Sequence, residues 1–304
     1  MTSTPFEIAG GAALDLALGD PGWLPHPVRG LGWLIVRFEA AWRTTGLSLK
    51  LAGALFWISV VAVAASFVTL TLVMIPRPYS HIYWIFCLLA IRDLDTQSTA
   101  VIAALCTNNI HTARERLSRI VGRDTHSLDE PEIVRASVET VAENLSDAIV
   151  APLFYLAVAG PAGMAVYKAI NTLDSMVGYR DERYRDFGWF SARADDLANY
   201  LPARLTAALI VAAALPLGLR SGAAIRAALR DGRSQPSPNA GYPEAAVAGA
   251  IGVQLGGVSH YRGVPSPKPH LGDPMLPLTR ALFPKVRLLL YATSALAVAG
   301  ACLL

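Results

Sequence analysis

Acidic, amide and basic side chains in the middle of this chain fall largely into two short clusters. The first spans residues 135–147 (RASVETVAENLSD), and the second spans residues 168–184 (KAINTLDSMVGYRDERY). Between them, residues 148–167 carry no charged side chain. Ionisable groups are costly to place beside a lipid-compatible segment, so they usually mark a site that handles a charged ligand or a metal. The two clusters are therefore the first candidates for a functional site.

The carboxylates of these clusters predict a magnesium site. Mg²⁺ keeps several waters and is commonly held by one or two carboxylates plus substrate phosphates. The predicted magnesium ligands are Glu143, Asp147 and Asp174, with Asn144 and Asn171 as supporting polar groups. An acidic helix face in water is the alternative, because residues spaced by four share one side of a helix. For Glu139 an ion pair with Arg135, four residues earlier, is as compatible with the spacing as a ligand role.

Basic residues beside the clusters could balance the charge of a phosphorylated substrate. Lys168 directly follows the apolar run and precedes Asn171 by three residues. Its ammonium group could bind a phosphate through a single positive charge. The alternative is an interfacial lysine whose stem lies along apolar surface. Asp195, Asp196 and Asn199 could add a metal or ribose contact. The sequence contains neither a Walker loop nor a dinucleotide fingerprint, so any ATP is held in another way.

Composition indicates a membrane protein. The chain is 53% hydrophobic and only 16% charged, whereas soluble domains carry about a quarter charged residues. A dispersed net charge of +3 gives no reason to expect nucleic acid as a partner. Five apolar stretches are candidate membrane segments: residues 51–75, 79–91, 148–167, 205–219 and 288–304. We predict an all-α, polytopic integral membrane protein with four to five membrane-embedded segments, one domain over 1–304, and a helical, membrane-adjacent catalytic region at about 92–204.

Residues 148–167 favour a re-entrant hairpin over a straight crossing. The breaker Gly160-Pro161-Ala162-Gly163 leaves only twelve residues before it, roughly 18 Å of helix against a hydrocarbon core of about 30 Å. In a hairpin the two polar clusters would meet in one pocket. Flanking helices are predicted at 96–121 and 130–147, and proline-rich loops at 231–241 and 263–277.

The same clusters carry a resemblance to a known family. The motifs are GDPGWLPHPVRGLG at 19–32, LSRIVGRDT at 117–125, VETVAENLSDAIVAPLFY at 138–155, YKAINTLDSMVGYRDERYRDFG at 167–188, ARADDLANYLPARLTA at 192–207 and SPNAGYPEAAVAGAIGVQLGG at 237–257. In these stretches the sequence resembles the CobD/CbiB family, the adenosylcobinamide-phosphate synthases of cobalamin biosynthesis. The segments VSHYRG at 258–263 and SPKPH after it are less typical of the family.

The resemblance implies an acid–amine ligase of the late corrin pathway. Such an enzyme joins the free propionate carboxylate of adenosylcobyric acid to (R)-1-amino-2-propanol or its O-2-phosphate. The reaction would consume ATP and use Mg²⁺ as the metal ion. The hypothesis is that ATP phosphorylates the carboxylate and the amine then attacks the acyl phosphate. The catalytic candidates are Glu143, Asp147, Lys168 and Asp174, and the candidates for substrate contacts are Arg123, Asp124, Asn144, Asn171, Ser175, Asn239, Tyr242 and Glu244.

Two other functions stay open at this point. One is a magnesium-dependent membrane transferase acting on a diphosphate substrate. The other is a non-enzymatic corrinoid transport or assembly subunit. The expected location is the inner (cytoplasmic) membrane, in contact with lipid and with a cytoplasmic-facing site. Self-association and contact with other membrane enzymes of the late corrin pathway are left open.

Overall fold

The structure is a computed structural model that describes residues 2–23 and 25–304. Its helices in chain order are α1 Pro5–Leu18, α2 Pro27–Arg43, α3 Leu49–Met74, α4 Tyr79–Leu88, α5 Ile91–Cys106, α6 Ile110–Leu117, α7 Glu130–Leu145, α8 Ala151–Val177, α9 Trp189–Ala198, α10 Tyr200–Ala214, α11 Ser221–Asp231, α12 Gly241–Ile251 and α13 Phe283–Leu303. A π-helical turn, Ser146–Val150, joins α7 to α8, and a 3₁₀ turn, Arg280–Leu282, leads into α13. Two strands, β1 Leu255–Tyr261 and β2 Val264–Leu271, form an antiparallel pair. The all-α prediction is therefore confirmed, with one small hairpin added.

The chain forms two compact units. The first unit comprises residues 1–90, 151–199 and 298–304, and the second comprises residues 91–150 and 200–297. Each unit is assembled from separated stretches of the chain, so neither is a linear domain, and the single domain over 1–304 stays a prediction.

Three helices of the described residues are long and apolar enough to cross a membrane. They are Leu49–Met74, the helix Glu130–Val177 and Arg280–Leu303, and a bent pair, Trp189–Ala198 with Tyr200–Ala214, gives up to four. A polytopic membrane protein is thereby confirmed. The three helices are fewer than the predicted four to five segments, and only the bent pair brings the number to four. The stretch 79–91 forms only the ten-residue helix α4, about 15 Å long and too short to span the core.

The core of the first unit joins α2, α3, α8 and the segment before α9. Its fully buried members are Ile35, Ala52, Phe56, Val60, Leu173, Val177 and Phe187. Gly53 permits the closest approach, because a Cβ there would lie 1.9 Å from the backbone oxygen of Phe187. The rings of Phe56 and Phe187 lie 5.1 Å apart. This core supports the polar face of α8.

The predicted breaker in α8 is present. Ala159 and Gly160 leave helical geometry, and Gly160 has φ 67° and ψ −167°, a conformation that favours glycine. The rings of Tyr155 and Tyr167 stack with centroids 5.1 Å apart, whereas twelve residues of straight helix would separate their Cα atoms by about 18 Å. The chain therefore bends sharply at Gly160, as the sequence predicted.

Two sequence predictions for the second unit are wrong. The helix expected over 96–121 divides at Asn108, which has φ 54°, and the side chain of Asn109 caps the new helix α6. The loop expected over 263–277 contains strand β2. Strand β2 tolerates its prolines because both strands of a two-stranded ribbon are edge strands. On an edge strand, the N–H group that proline lacks can face solvent and is then not needed for the ladder.

The start and packing of α7 follow the sequence. Asp129 and Glu132 form a capping box at its first turn. Helix α12, built largely from Ala and Gly, packs beside α7 and α11, and a Cβ on Gly249 would lie 2.5 Å from the backbone oxygen of Ala223. Small side chains therefore let α12 approach its neighbours closely.

Candidate functional site

Helix α7 directs a row of charged side chains toward the β hairpin. The Glu139 Oε1 atom accepts a hydrogen bond from the backbone N–H of Gly256 at 2.8 Å. Its Oε2 atom lies 2.6 Å from Nη2 of Arg123, with the two side chains only 4% and 8% exposed. The two side chains thus lie at ion-pair distance, but Glu139 Oε2 is not aligned for a hydrogen bond. The other guanidinium nitrogen of Arg123, Nη1, also makes no hydrogen bond among the described residues. Glu139 therefore pairs with Arg123 and not with Arg135, the partner that helix spacing offered.

Arg135 instead anchors the hairpin to α7. Its guanidinium donates to the backbone oxygens of Gly256 and Val258. The ladder is irregular between Leu255 and Gly257, and Gly256 has φ 83°. A Cβ on Gly256 would lie 2.1 Å from the backbone oxygen of Pro269. The Gly-Gly pair of the sequence thus forms the bulge that brings β1 against the α7 carboxylates.

Glu244 approaches the same place from the first turn of α12. It is 4% exposed, and its Oε2 atom accepts one long hydrogen bond of 3.4 Å from Gln235. Burial raises the pKa of Glu244 well above its ordinary value, and the neighbouring Glu139 and Glu143 raise it further against the opposing effect of Lys268 and Arg123. The Glu244 carboxyl group therefore keeps its proton to a higher pH than an exposed glutamate does.

Glu143 and Lys268 complete this group, which we call the glutamate cluster: Arg123, Glu139, Glu143, Glu244 and Lys268. Glu143 has Lys268, Arg123 and Glu139 as charged neighbours, yet its side chain stays reachable by solvent. Lys268 is half-buried on β2. Burial lowers the pKa of Arg123, but Glu139 outweighs burial and the net pKa is raised. The cluster thus combines three carboxylates with two cations, and Glu143 stands at its solvent side.

A cation–aromatic stack joins α10 to the first turn of α12. The Arg204 guanidinium lies 3.6 Å from the ring centre of Tyr200 and 4.3 Å from that of Tyr242. It also donates to Oδ1 of Asn239 at 3.2 Å. Burial raises the pKa of Tyr242, but a hydrogen bond from Arg233 and the charge of Arg204 outweigh it, so the net pKa is lowered. The predicted substrate contacts Asn239 and Tyr242 are therefore held in one rigid segment that leads to Glu244.

Two other predicted substrate contacts have structural partners. Asp124 accepts hydrogen bonds from the backbone N–H groups of Arg262 at 3.1 Å and Gly263 at 2.7 Å, and these hydrogen bonds lower its pKa. It thereby fixes the turn between β1 and β2. Asn144 donates to the backbone oxygen of Thr140 at 2.9 Å within α7. Substrate contact by either residue stays a prediction.

The first unit holds a separate polar chain on α8 and α9. Tyr167 donates to Oδ1 of Asn199 at 2.8 Å, and Asn199 donates to Asp195 at 3.0 Å. Asn171 donates to the other Asp195 oxygen at 3.4 Å. The hydroxyl of Ser175 donates within α8 to the backbone oxygen of Asn171 at 2.9 Å. The sequence offered Asp195, Asp196 and Asn199 as possible metal or ribose contacts. Two of them, Asp195 and Asn199, belong to the same hydrogen-bonded chain as Asn171.

Lys168 and Asp174 occupy different surroundings on α8. Lys168 lines a groove of about 410 Å³ whose other walls are largely apolar and include Trp33, Phe67 and Trp84. Asp174 folds back on its own helix end, where a Cβ on Gly178 would lie 1.9 Å from Asp174 Oδ1. Both residues lie in the first unit.

The predicted magnesium ligands are divided between the units. Glu143 and Asp147 belong to the second unit, with Asp147 in the π-helical turn, whereas Asp174 belongs to the first. Their convergence in one pocket stays a prediction. Among the residues that the structure describes, no three His, Cys, Asp or Glu side chains are grouped as a metal site. Mg²⁺ held by one or two carboxylates plus substrate phosphates does not require such a group.

Comparison with known proteins identifies the family. Residues 8–289 match the family model described as CobD/Cbib protein. The chain belongs to the CobD/CbiB family. It is 46% identical over 296 residues to the cobalamin biosynthesis protein CobD of Pelobacter propionicus, covering 95% of this chain and 92% of that protein. The CobD protein of Geobacter metallireducens is 44% identical over 98% of this chain and 96% of its own length.

A third relative gives a similar result. The CobD protein of Clostridium perfringens is 46% identical over 86% of both chains. We therefore assign this CobD/CbiB family member to cobalamin biosynthesis. No solved structure matches the chain.

Proposed function

We propose that the chain is an ATP-dependent acid–amine ligase of the inner membrane. It joins the free propionate carboxylate of adenosylcobyric acid to (R)-1-amino-2-propanol or its O-2-phosphate, giving adenosylcobinamide or its phosphate. The observation that supports this most is the glutamate cluster, because a ligase of two charged reactants needs both signs of charge in one water-poor place. The site is proposed to face the cytoplasm.

The residues present are compatible with a magnesium–phosphate group. Arg123 is 8% exposed, and its Nη1 atom makes no hydrogen bond among the described residues, so it offers a buried donor to an anion. Lys268 offers further positive charge in the same unit, where Glu143 and Asp147 are the proposed magnesium ligands. Lys168 and Asp174 lie on α8 in the other unit, and their charge-balancing and ligand roles stay separate predictions. Bound ATP with Mg²⁺ would supply the phosphoryl group that activates the propionate carboxylate.

The protein's own residues contribute binding and orientation. Arg123 is held by Glu139, so its second guanidinium nitrogen is fixed in direction before any substrate arrives. Asp124 fixes the turn of the hairpin that carries Lys268. Preorganised charges of this kind need no rearrangement when charge develops in the reaction, which is the usual basis of electrostatic catalysis.

ATP consumption by the purified protein tests this function. Hydrolysis should require adenosylcobyric acid and the amine together, since neither alone completes the reaction. The variant Arg123→Met should lose at least 90% of this coupled consumption, whereas Arg119→Met, an exposed arginine paired only with Glu115, should retain it. Two results would contradict the proposal. One is ATP consumption at the same rate with and without the two substrates, and the other is substrate-dependent ATP consumption that is unchanged in Arg123→Met.

A further inference from the structure

The groove that Lys168 lines lies wholly within the first unit. Its walls come from α2, α3, α4 and α8 and from the residues just before α2, and they are largely apolar, with Trp33, Phe67 and Trp84 among them. Its volume of about 410 Å³ falls within the roughly 300–1,000 Å³ that ligand sites usually occupy. No member of the glutamate cluster lines this groove. A ligand held here would therefore be largely apolar.

One wall of the groove belongs to a helix that can cross the membrane. The lining residues of α3 are Val63, Ala64, Phe67 and Val68. This helix is one of the three described helices that are long and apolar enough to span the bilayer. Val63 and Phe67 are 42% and 55% exposed and lie well inside α3, so in a membrane they contact hydrocarbon chains and not water. Lipid therefore has access to the groove along this wall.

The charge of the lining favours an anion. Two of the described residues that line the groove have a basic side chain, Lys168 and His26, and none has a carboxylate. Ionisable side chains beside lipid are costly and usually serve a ligand. A negatively charged group would find complementary partners in the groove, whereas an ammonium or choline group would find no acidic partner among these residues.

His26 offers a buried nitrogen to such an anion. Its side chain is only 7% exposed, and its Nε2 atom lies 3.2 Å from Oδ1 of Asp20. Neither of these two atoms makes a hydrogen bond among the described residues. The neighbouring carboxylate favours a hydrogen on Nε2, and buried polar atoms are rarely left without a hydrogen bond. A ligand oxygen in the groove would therefore satisfy the imidazole.

We infer that the groove binds an anionic phospholipid, with an acyl chain along its apolar walls and the phosphodiester oxygens at Lys168 and His26. A phosphodiester carries one negative charge and only accepts hydrogen bonds, so it matches basic donors. A lysine stem packs along apolar surface while its ammonium group contacts the headgroup. The assignment thus develops the interfacial interpretation that the sequence left open for Lys168, and it does not rest on the ligase function.

Lipid binding by the wild-type protein tests the inference. Detergent-purified protein would be titrated with phosphatidylglycerol, phosphatidylcholine and phosphatidylethanolamine of identical acyl chains, and the bound lipid measured by native mass spectrometry. Phosphatidylglycerol should bind at least tenfold more tightly than either zwitterionic lipid. A zwitterionic lipid that binds as tightly as phosphatidylglycerol would overturn the inference without the use of any variant.

Glycerol 1-phosphate distinguishes a lipid site from a site for free phosphate esters. It carries a phosphate group but no acyl chain, so it makes no contact with the apolar walls. A tenfold molar excess over phosphatidylglycerol should therefore leave the lipid bound. Displacement of the lipid at that excess would show that the acyl chain is not recognised, and would overturn the inference.

Variants locate the lipid in the groove. Lys168→Met keeps an apolar stem and should weaken phosphatidylglycerol binding at least fivefold, whereas Lys50→Met, which removes an exposed lysine 3.8 Å from Asp186, should leave it unchanged. Ala64→Trp should fill the groove and also weaken binding at least fivefold. Its control is Ala62→Trp, at an exposed position of α3 that does not line the groove. Unchanged lipid binding in folded Lys168→Met or Ala64→Trp protein would overturn the inference.

Discussion

Removing the carboxylate of Glu139 should destabilise the protein more than most single substitutions do. Glu139 and Arg123 are 4% and 8% exposed, so solvent does not screen their interaction appreciably. Breaking a buried ion pair on one side costs about 3–5 kcal/mol, because the other charge loses its close partner while it stays buried. Glu139→Ala also removes the acceptor of the Gly256 N–H group, a loss of about 1–3 kcal/mol that overlaps with the first.

We therefore expect Glu139→Ala to lower the free energy of unfolding by about 4 kcal/mol. At roughly 2 °C for each kcal/mol in chains of this size, the melting temperature should fall by about 8 °C. Tryptophan fluorescence of the detergent-solubilised protein during heating measures this. Glu139→Gln should cost less, since its amide oxygen still accepts the Gly256 hydrogen bond.

A double-mutant cycle tests the cause. Arg123→Met alone should also destabilise, but the double variant with Glu139→Gln should be more stable than the sum of the two losses predicts, because neither charge of the pair is left without the other. A melting temperature of Glu139→Ala within 2 °C of the wild type, or losses that add within about 0.5 kcal/mol, would refute the pairing.

Three further perturbations have defined outcomes. Burial raises the pKa of Glu7, but hydrogen bonds with Arg77 and Thr4 and the charge of His81 together outweigh burial and lower the pKa to about 2. The stability that Glu7 adds is present above its unfolded pKa and is lost as pH falls toward 2. The difference in melting temperature between wild type and Glu7→Gln should therefore shrink from pH 5 to pH 3. Gly53→Ala should destabilise by about 1–3 kcal/mol through overpacking, since its Cβ would lie 1.9 Å from the Phe187 oxygen; an unchanged melting temperature would contradict that packing. Asp174→Asn should abolish most amide formation by the purified enzyme, and near-normal product would remove Asp174 from the magnesium ligands.

Local signals in the sequence predicted several elements correctly. The Gly-Pro-Ala-Gly breaker marks the bend at Gly160, because a glycine adopts the required φ and the following proline cannot donate into a helix. The helix predicted over 130–147 begins at Glu130, where Asp129 and Glu132 form a capping box. Each of these follows from residues within a few positions of one another.

The partners within the site could not be predicted in the same way. Helix spacing offered Arg135 to Glu139, but the structure pairs Glu139 with Arg123 and with a backbone group of β1, contacts that depend on tertiary packing. Lys268 lies between prolines in a segment that predicted a loop, and only pairing with β1 brings it to the cluster. Arg204 lies within the motif at 192–207, but the motif did not indicate its contacts with Tyr200 and Tyr242. The clustering of charge was visible in the sequence, whereas the identity of each pair was not.

The most direct test of the central claim is identification of the product by mass spectrometry. Purified protein would be incubated with adenosylcobyric acid, ATP, Mg²⁺, and 1-amino-2-propanol and its O-phosphate in competition. We expect the mass of adenosylcobinamide or adenosylcobinamide phosphate, formed only when corrinoid, amine and ATP are all present. Absence of both products from folded protein, together with uptake of unmodified corrinoid into proteoliposomes, would contradict it and favour a transport role.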